Sequence, residues 1–149
     1  GRRGGGGGGG GEPMLACFNS GYKHSPDALD MWAQILRLAP LATLWLLSWP
    51  GIESHLRREA RERGLGDARV VFTPLLPAEN HIRWKALADL FLDTTAFNGH
   101  GTLAQALWAA VPVLTLPLER IGQRIGAAVV LASAAPELVA RNRDDYIAL

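Results

Sequence analysis

The sequence predicts a Rossmann-like parallel α/β sheet, and three observations carry that reading. Five short apolar runs, MLACF, ATLWLL, RVVFT, LFL and VPVLTL, alternate with helical segments along the chain. ATLWLL is apolar on both faces, as a central parallel strand should be. The first run reaches its helix through the polar loop Asn19 to His24, the first half of a βαβ unit.

In chain order, residues 1–13 form a glycine-rich tail. Nine of the first eleven residues are glycine, a composition that buries nothing, and disorder is expected there. Residues 14–149 have ordinary globular composition and are expected to form one lobe. Met14 to Phe18 is the first strand. Ser25 is a good N-cap and Pro26 suits the first position of the next helix, with Asp27 in its first turn. Leu29, Trp32, Ile35, Leu36 and Ala39 give that helix a 3.6-residue stripe, and Pro40 ends it. Ala42 to Leu47 is the second strand, after which Trp49-Pro50-Gly51 turns the chain. Ile52 to Arg63 is amphipathic through Ile52, Leu56 and Ala60, and closes at Gly64. Its arginines alternate with Glu59 and Glu62 as a solvated face with local ion pairs, and His55 faces solvent.

Arg69 to Thr73 is the third strand. Pro74 and Pro77 stiffen the loop before a short helix from Glu79 through Leu87. Leu90 to Leu92 is the fourth strand. The polar loop Asp93 to Thr102 leads into a helix over Leu103 to Ala110. Val111 to Leu116 is the fifth strand, with Pro112 near its start, where a missing N–H is tolerated. Ile125 to Ala132 is a further helix, Pro136 to Ala140 a helical turn, and Asp144 to Leu149 the last helix.

The charge balance is even, 15 basic against 14 acidic residues for a net charge of +1. With no basic stripe or aromatic platform, neither nucleic acid nor an anionic membrane is an expected partner. No apolar run is long enough to span a bilayer, and the N-terminus lacks a signal-like apolar core. The single cysteine, Cys17, excludes an internal disulfide and fits a reducing compartment. Its apolar surroundings mark it as a core residue rather than a nucleophile.

Ligands of parallel sheets bind beyond the carboxyl ends of the strands. That edge gathers Asn19 to His24, Pro74 to His81, Asp93 to Thr102 and Pro117 to Arg124. The stretch Asp89 to Pro112 centres it, because strand, small polar loop and helix present free helix N–H groups at the mouth of a site. There is no GxxxxGK[ST] and no GxGxxG after the first strand, so the common ATP/GTP and dinucleotide signatures are absent. With one cysteine and no HExxH, no metal is expected, although His24, His81 and His100 all fall at this edge. What remains suits a diphosphate. The N–H groups from Gly101 to Ala104 and the Thr102 hydroxyl would receive it, Lys23 would add a point charge, and His81 and His100 would donate to phosphate or sugar oxygens. Plainer roles stand beside these: Lys23 as a surface lysine, His81 as a helix-start residue, Thr102 as an N-cap and Asp93 as a loop-capping carboxylate.

FNSGYKHSPDALDMWAQILRLAP, LWLL, ADLFLDTTAFNGHGTLAQALWAAVPVLTLP and ELVARNRDDY resemble the C-terminal half of the catalytic region of O-linked N-acetylglucosamine transferases, including their SPINDLY relatives. The resemblance runs from about Leu15 to Tyr146. It implies the C-terminal lobe of a two-lobed GT-B-type glycosyltransferase that moves N-acetylglucosamine from UDP-GlcNAc to Ser and Thr of intracellular proteins. A related plant branch uses GDP-fucose. Asn98-Gly99-His100 looks more like the N-acetylglucosamine branch. By position, Lys23 would contact the diphosphate and neutralise charge on the leaving UDP, which makes it the catalytic candidate. His81 would lie near the uridine or its ribose, and His100 and Thr102 match the loop that holds the diphosphate. The resemblance further implies no cofactor and no metal, a UDP-sugar and acceptor proteins as partners, tetratricopeptide repeats, and a cytoplasmic and nuclear location.

Four positions depart from the family pattern. The loop that usually reads NGHTT has Gly101 at its first threonine, and the acidic residue three positions past the second threonine is Gln105, still able to hydrogen-bond to ribose without charge assistance. Leu118 stands where a glycine usually follows the proline, and Ala78 where a lysine usually precedes the histidine by three residues. The N-terminal lobe that supplies the catalytic histidine and much of the acceptor groove is not in this sequence, so weak UDP affinity and little transfer are expected of the chain alone. A non-catalytic nucleotide-binding or interaction module and a protein O-fucosyltransferase are the alternative readings.

Overall fold

The computed structural model describes residues 11–75 and 77–149, apart from the side chains of Ala78 and Glu79. The expected glycine tail therefore lies outside the described residues up to position 10; Gly11 to Pro13 are exposed and outside any helix or strand. Met14–Cys17 forms β1, Thr43–Leu47 β2, Val70–Thr73 β3, Leu90–Leu92 β4 and Val113–Leu114 β5. Every pairing is parallel, in the order β3-β2-β1-β4-β5. The helices are α1 (Pro26–Leu38), α2 (Glu53–Glu62), α3 (Ala78–Lys85), α4 (Gly101–Trp108), α5 (Ile125–Ala132) and α6 (Arg143–Ala148). Because β1 pairs with β2 on one side and β4 on the other, the winding reverses between β1 and β4. A crevice at the carboxyl edge follows from that reversal.

Local chemistry explains the main elements. The Ser25 hydroxyl accepts the Ala28 N–H at 3.2 Å and starts α1, whose Ala28, Leu29, Met31, Trp32, Ala33 and Leu36 are buried. All five residues of β2 are buried, as a strand covered on both faces requires. On α2, Arg57 meets Glu53 at 2.9 Å and Arg63 meets Glu59 at 2.8 Å, while His55 is exposed. Asn142 caps α6 by accepting the Asp145 N–H at 2.9 Å. From α6 the wholly buried Tyr146 hydroxyl accepts from Trp32 Nε1 at 3.2 Å and donates to the Asp93 carbonyl at 2.9 Å. Cys17 is buried in the core cluster and its thiol is pushed up by that burial.

Several boundaries differ from the sequence reading. The fifth strand is only Val113–Leu114, because Ala110 takes the left-handed conformation (φ 60) and the Val111 N–H turns back to the Ala106 carbonyl. Residues 110–112 thus close α4, and Thr115 makes an isolated parallel bridge to Val139. The second strand starts at Thr43 because the Ala42 N–H closes a turn onto Ala39. The helix after the polar loop begins two residues early, at Gly101, and ends at Trp108. Thr102 is therefore inside the helix and His100 is the N-cap, which overturns the reading of Thr102 as a cap. No helix among the described residues is long and apolar enough to cross a membrane.

Candidate functional site

The loop after β4 is built around one carboxylate. Asp93 Oδ1 accepts the N–H groups of Thr94 at 2.9 Å and Gly99 at 2.8 Å, and the Asn19 amide at 3.2 Å; Oδ2 accepts the Thr115 hydroxyl at 2.8 Å. Asp93 thus joins the ends of β1, β4 and β5 across the switch point, as the capping role allowed. Burial pushes its carboxyl up to about 6 against the pull of those four donors, which leaves it ionised at neutral pH. Asn98 continues the same network. Its side chain donates to the Thr94 carbonyl at 2.8 Å and accepts the Gly126 N–H at 3.0 Å, while its own N–H reaches the Gly122 carbonyl at 2.8 Å. Two glycines are required by close approach. A Cβ on Gly99 would lie 2.5 Å from Asn19 Oδ1, and one on Gly126 would overlap Asp93 Oδ2 and the Thr115 hydroxyl.

Lys23 ends a 3-10 turn over Gly21–Lys23 and is buried, not the surface lysine that sequence alone allowed. Its Nζ donates to the Asn98 carbonyl at 2.9 Å and sits 4.7 Å from the centre of the Phe97 ring. Burial lowers its pKa, and the nearby charge of Asp93 opposes that shift. Lys23 is thereby fixed against the loop that leads into α4. His100, the N-cap of α4, is exposed, with its ring 5.2 Å from that of Phe97. Gly101 follows it, also exposed, with open space where a Cβ would stand. Of the four N–H groups expected to face a ligand, those of Leu103 and Ala104 fold back on the His100 carbonyl; those of Gly101 and Thr102 make no backbone hydrogen bond.

A cleft of about 240 Å³ opens beside this helix start, lined by Phe18, Ser20, Leu47, Trp49, Leu75, His81, Lys85, Thr102 and Gln105. Three predicted residues, His81, Thr102 and Gln105, therefore line the same cleft, whereas Lys23, His100 and Gly101 are not among its lining residues. His81 lies inside α3 rather than at its start, and burial, with Lys85 nearby, lowers its pKa. His24 does not join the other histidines. It packs edge-on against Trp32 at 5.5 Å with neither ring nitrogen partnered, and burial pushes its pKa down to about 4. Among the described residues no group of three His, Cys, Asp or Glu side chains converges on a metal position.

The residue that sequence reasoning missed is Lys85. It is 3% exposed, hydrogen-bonds through Nζ to Gln105 Oε1, and lies 6.0 Å from the Phe18 ring centre. Burial lowers its pKa to about 8. A signal was available: Lys85 stands four residues after His81, hence on the same face of the helix.

Comparison with known proteins agrees with this architecture. Residues 12–149 match the model of glycosyl transferase family 41. A Caenorhabditis elegans UDP-N-acetylglucosamine–peptide N-acetylglucosaminyltransferase is 42% identical over 133 residues, 89% of this chain and 12% of the relative. An Arabidopsis thaliana protein described as a probable enzyme of the same name is 40% identical over 121 residues, 80% of this chain and 12% of that protein. A mutant O-GlcNAc transferase of Thermobaculum terrenum superposes with a TM-score of 0.87 at 31% identity, covering 91% of this chain and 27% of that one. The chain therefore spans about an eighth of the length of the curated relatives it matches. With its five-stranded parallel sheet, its fold is that of a GT-B glycosyltransferase lobe, and the chain belongs to glycosyl transferase family 41.

Proposed function

We propose that this lobe holds the sugar-nucleotide donor of a protein O-N-acetylglucosaminyltransferase, with UDP-GlcNAc as donor and Ser or Thr of intracellular proteins as acceptors. The observation that carries the reading is the start of α4. There the unbonded N–H groups of Gly101 and Thr102 open the helix, Thr102 lines the cleft together with His81 and Gln105, and Lys23 is fixed against the preceding loop. Helix N–H groups and a nearby ammonium favour a diphosphate at that point. The relatives, UDP-N-acetylglucosamine–peptide N-acetylglucosaminyltransferases by name, supply the donor and the peptide acceptor of this reading.

In this reading Lys23 neutralises charge as UDP departs, His100, Gly101 and Thr102 hold the diphosphate, and His81 and Gln105 contact the ribose or base. Charge developing on the leaving group is met by fixed dipoles and a cation already in place, so neither metal nor cofactor takes part. Acceptor proteins are reached through an N-terminal lobe and tetratricopeptide repeats elsewhere in the longer protein, which works in the cytoplasm and nucleus.

Calorimetric titration with UDP, UDP-GlcNAc and GDP-fucose tests the reading. Uridine nucleotides are expected to bind and GDP-fucose not to, and Lys23→Ala is expected to weaken UDP binding. Absence of uridine-nucleotide binding at millimolar ligand overturns the donor assignment; preference for GDP-fucose replaces it with fucosyl transfer. Unchanged UDP affinity in Lys23→Ala removes Lys23 from the diphosphate.

A further inference from the structure

Lys85 presents a problem of charge. It is buried, and among the described residues no carboxylate lies within ion-pair distance; its hydrogen-bond partner is the neutral oxygen of Gln105. Helix α4, which faces it, carries no charged residue, and the groups around it are Phe18 just after β1, Trp45 and Leu47 of β2, and Thr73 and Pro74 at the end of β3, none of them charged. The other titratable group beside it is His81, whose pKa falls, so it stays neutral. A buried ammonium without a counter-charge is costly, and one that borders an open cleft is satisfied most cheaply by an anion bound in that cleft.

The hydrogen-bonding inventory of the wall points the same way. Gln105 gives its carbonyl oxygen to Lys85, so the pair offers the cleft only donors: the remaining ammonium hydrogens and the Gln105 NH2. Trp49, also among the lining residues, has a buried indole N–H with no partner. The Gly101 and Thr102 N–H groups are further donors at the same helix start. Donors gathered at this point suit an acceptor such as a phosphate oxygen.

We propose that Lys85 is a second cation of the donor site, holding the diphosphate of the bound nucleotide from the cleft while Lys23 is fixed against the loop that leads into α4. The proposal deepens the donor reading and rests on it. It further assigns Gln105 a positioning role, because its carbonyl aims the ammonium across the cleft in the unliganded protein.

The test is calorimetric titration of the chain with pyrophosphate, UDP and uridine, on the wild type, Lys85→Met, Lys85→Arg and Gln105→Glu. Lys85→Met removes a buried charge and keeps an apolar stem, so circular dichroism is expected to show an intact fold. It is expected to lower pyrophosphate and UDP affinity about tenfold, the scale of one charge-assisted hydrogen bond, and to leave uridine affinity unchanged. Lys85→Arg is expected to recover most of the loss. Gln105→Glu, which ties the ammonium to a carboxylate without deleting it, is expected to weaken pyrophosphate binding to a similar degree. Pyrophosphate affinity within twofold of wild type in both Lys85→Met and Gln105→Glu overturns the role of Lys85 and leaves the donor reading standing. Equal losses for uridine and pyrophosphate also overturn it, since they mark a packing defect. A wild type that binds none of the three ligands overturns both.

Discussion

Replacing Asp93 is the sharpest way to test how the site loop is held. In Asp93→Ala the N–H groups of Thr94 and Gly99 both lose a buried acceptor, the Asn19 amide keeps only Thr94 Oγ1 at 2.8 Å, and the Thr115 hydroxyl is freed to turn elsewhere. Each orphaned buried donor costs about 1–3 kcal/mol, so a loss of about 2–6 kcal/mol is expected, a large share of the ~5–15 kcal/mol that holds an ordinary domain together. Asp93→Asn is a different perturbation. Its oxygen still accepts from Thr94, Gly99 and Asn19, and its NH2 faces a hydroxyl that rotates to accept. The sign of the pH effect follows from the raised pKa of about 6. The folded state holds the Asp93 proton more tightly than the unfolded chain, so the associated stability is complete below the unfolded value of about 3.9 and is lost as pH rises through 6. The difference amounts to about 3 kcal/mol. The Asn variant has no such proton, and is expected to gain about that much on the wild type between pH 4 and pH 7. Urea unfolding followed by fluorescence of the buried Trp32 and Trp45 measures both effects. An Ala variant within about 0.5 kcal/mol of wild type, or an Asn variant that follows the wild-type pH dependence, refutes the reasoning.

Three further outcomes are expected. Gly126→Ala drives a methyl group into the Asp93 carboxylate and the Thr115 hydroxyl, and should lower stability by about 1–3 kcal/mol in the same assay, whereas Gly11→Ala, in open space, should not. Gly101→Thr places its Cβ in open space at the first residue of α4; unfolding stability should change by less than about 1 kcal/mol, and UDP affinity in calorimetry should rise severalfold through an added hydroxyl. His24 is held neutral by burial with a pKa near 4, so its contribution to stability is full above about 6.5 and is lost as pH falls through 4; His24→Phe should remove that part of the acid sensitivity, read from unfolding midpoints at pH 4 and pH 7.

Sequence periodicity located all five strands and the main helices because each buries its own apolar residues, information that lies within a few neighbouring positions. The carboxyl-edge loops were legible for the same reason: parallel strands force them to one side. Pairings across long separations were not legible. Nothing in the spacing of Asn19, Asp93 and Thr115 says that one carboxylate joins all three, yet the hydrogen bonds at 3.2 Å and 2.8 Å do so. Boundaries failed where a turn used a residue with no turn signature, as at Ala110, whose φ of 60 is unusual for alanine. Lys85 escaped notice because a lysine at the end of a helix is ordinarily a solvated partner of the helix dipole. Tertiary packing buries it, against α4 and against Phe18, Trp45 and Leu47 of the sheet edge.

The hydroxyl of Tyr146 connects residues that are 53 and 114 positions away along the chain, the Asp93 carbonyl and the Trp32 indole. Closing loops of that length is slow relative to forming a local helix turn. The binding loop therefore has this support only once α6 has docked on α1. During synthesis, a nascent chain that already displays every residue of the cleft still lacks this tie until residues 143–148 have left the ribosome. The support of this loop is in that sense timed by a helix that contributes no side chain to the cleft.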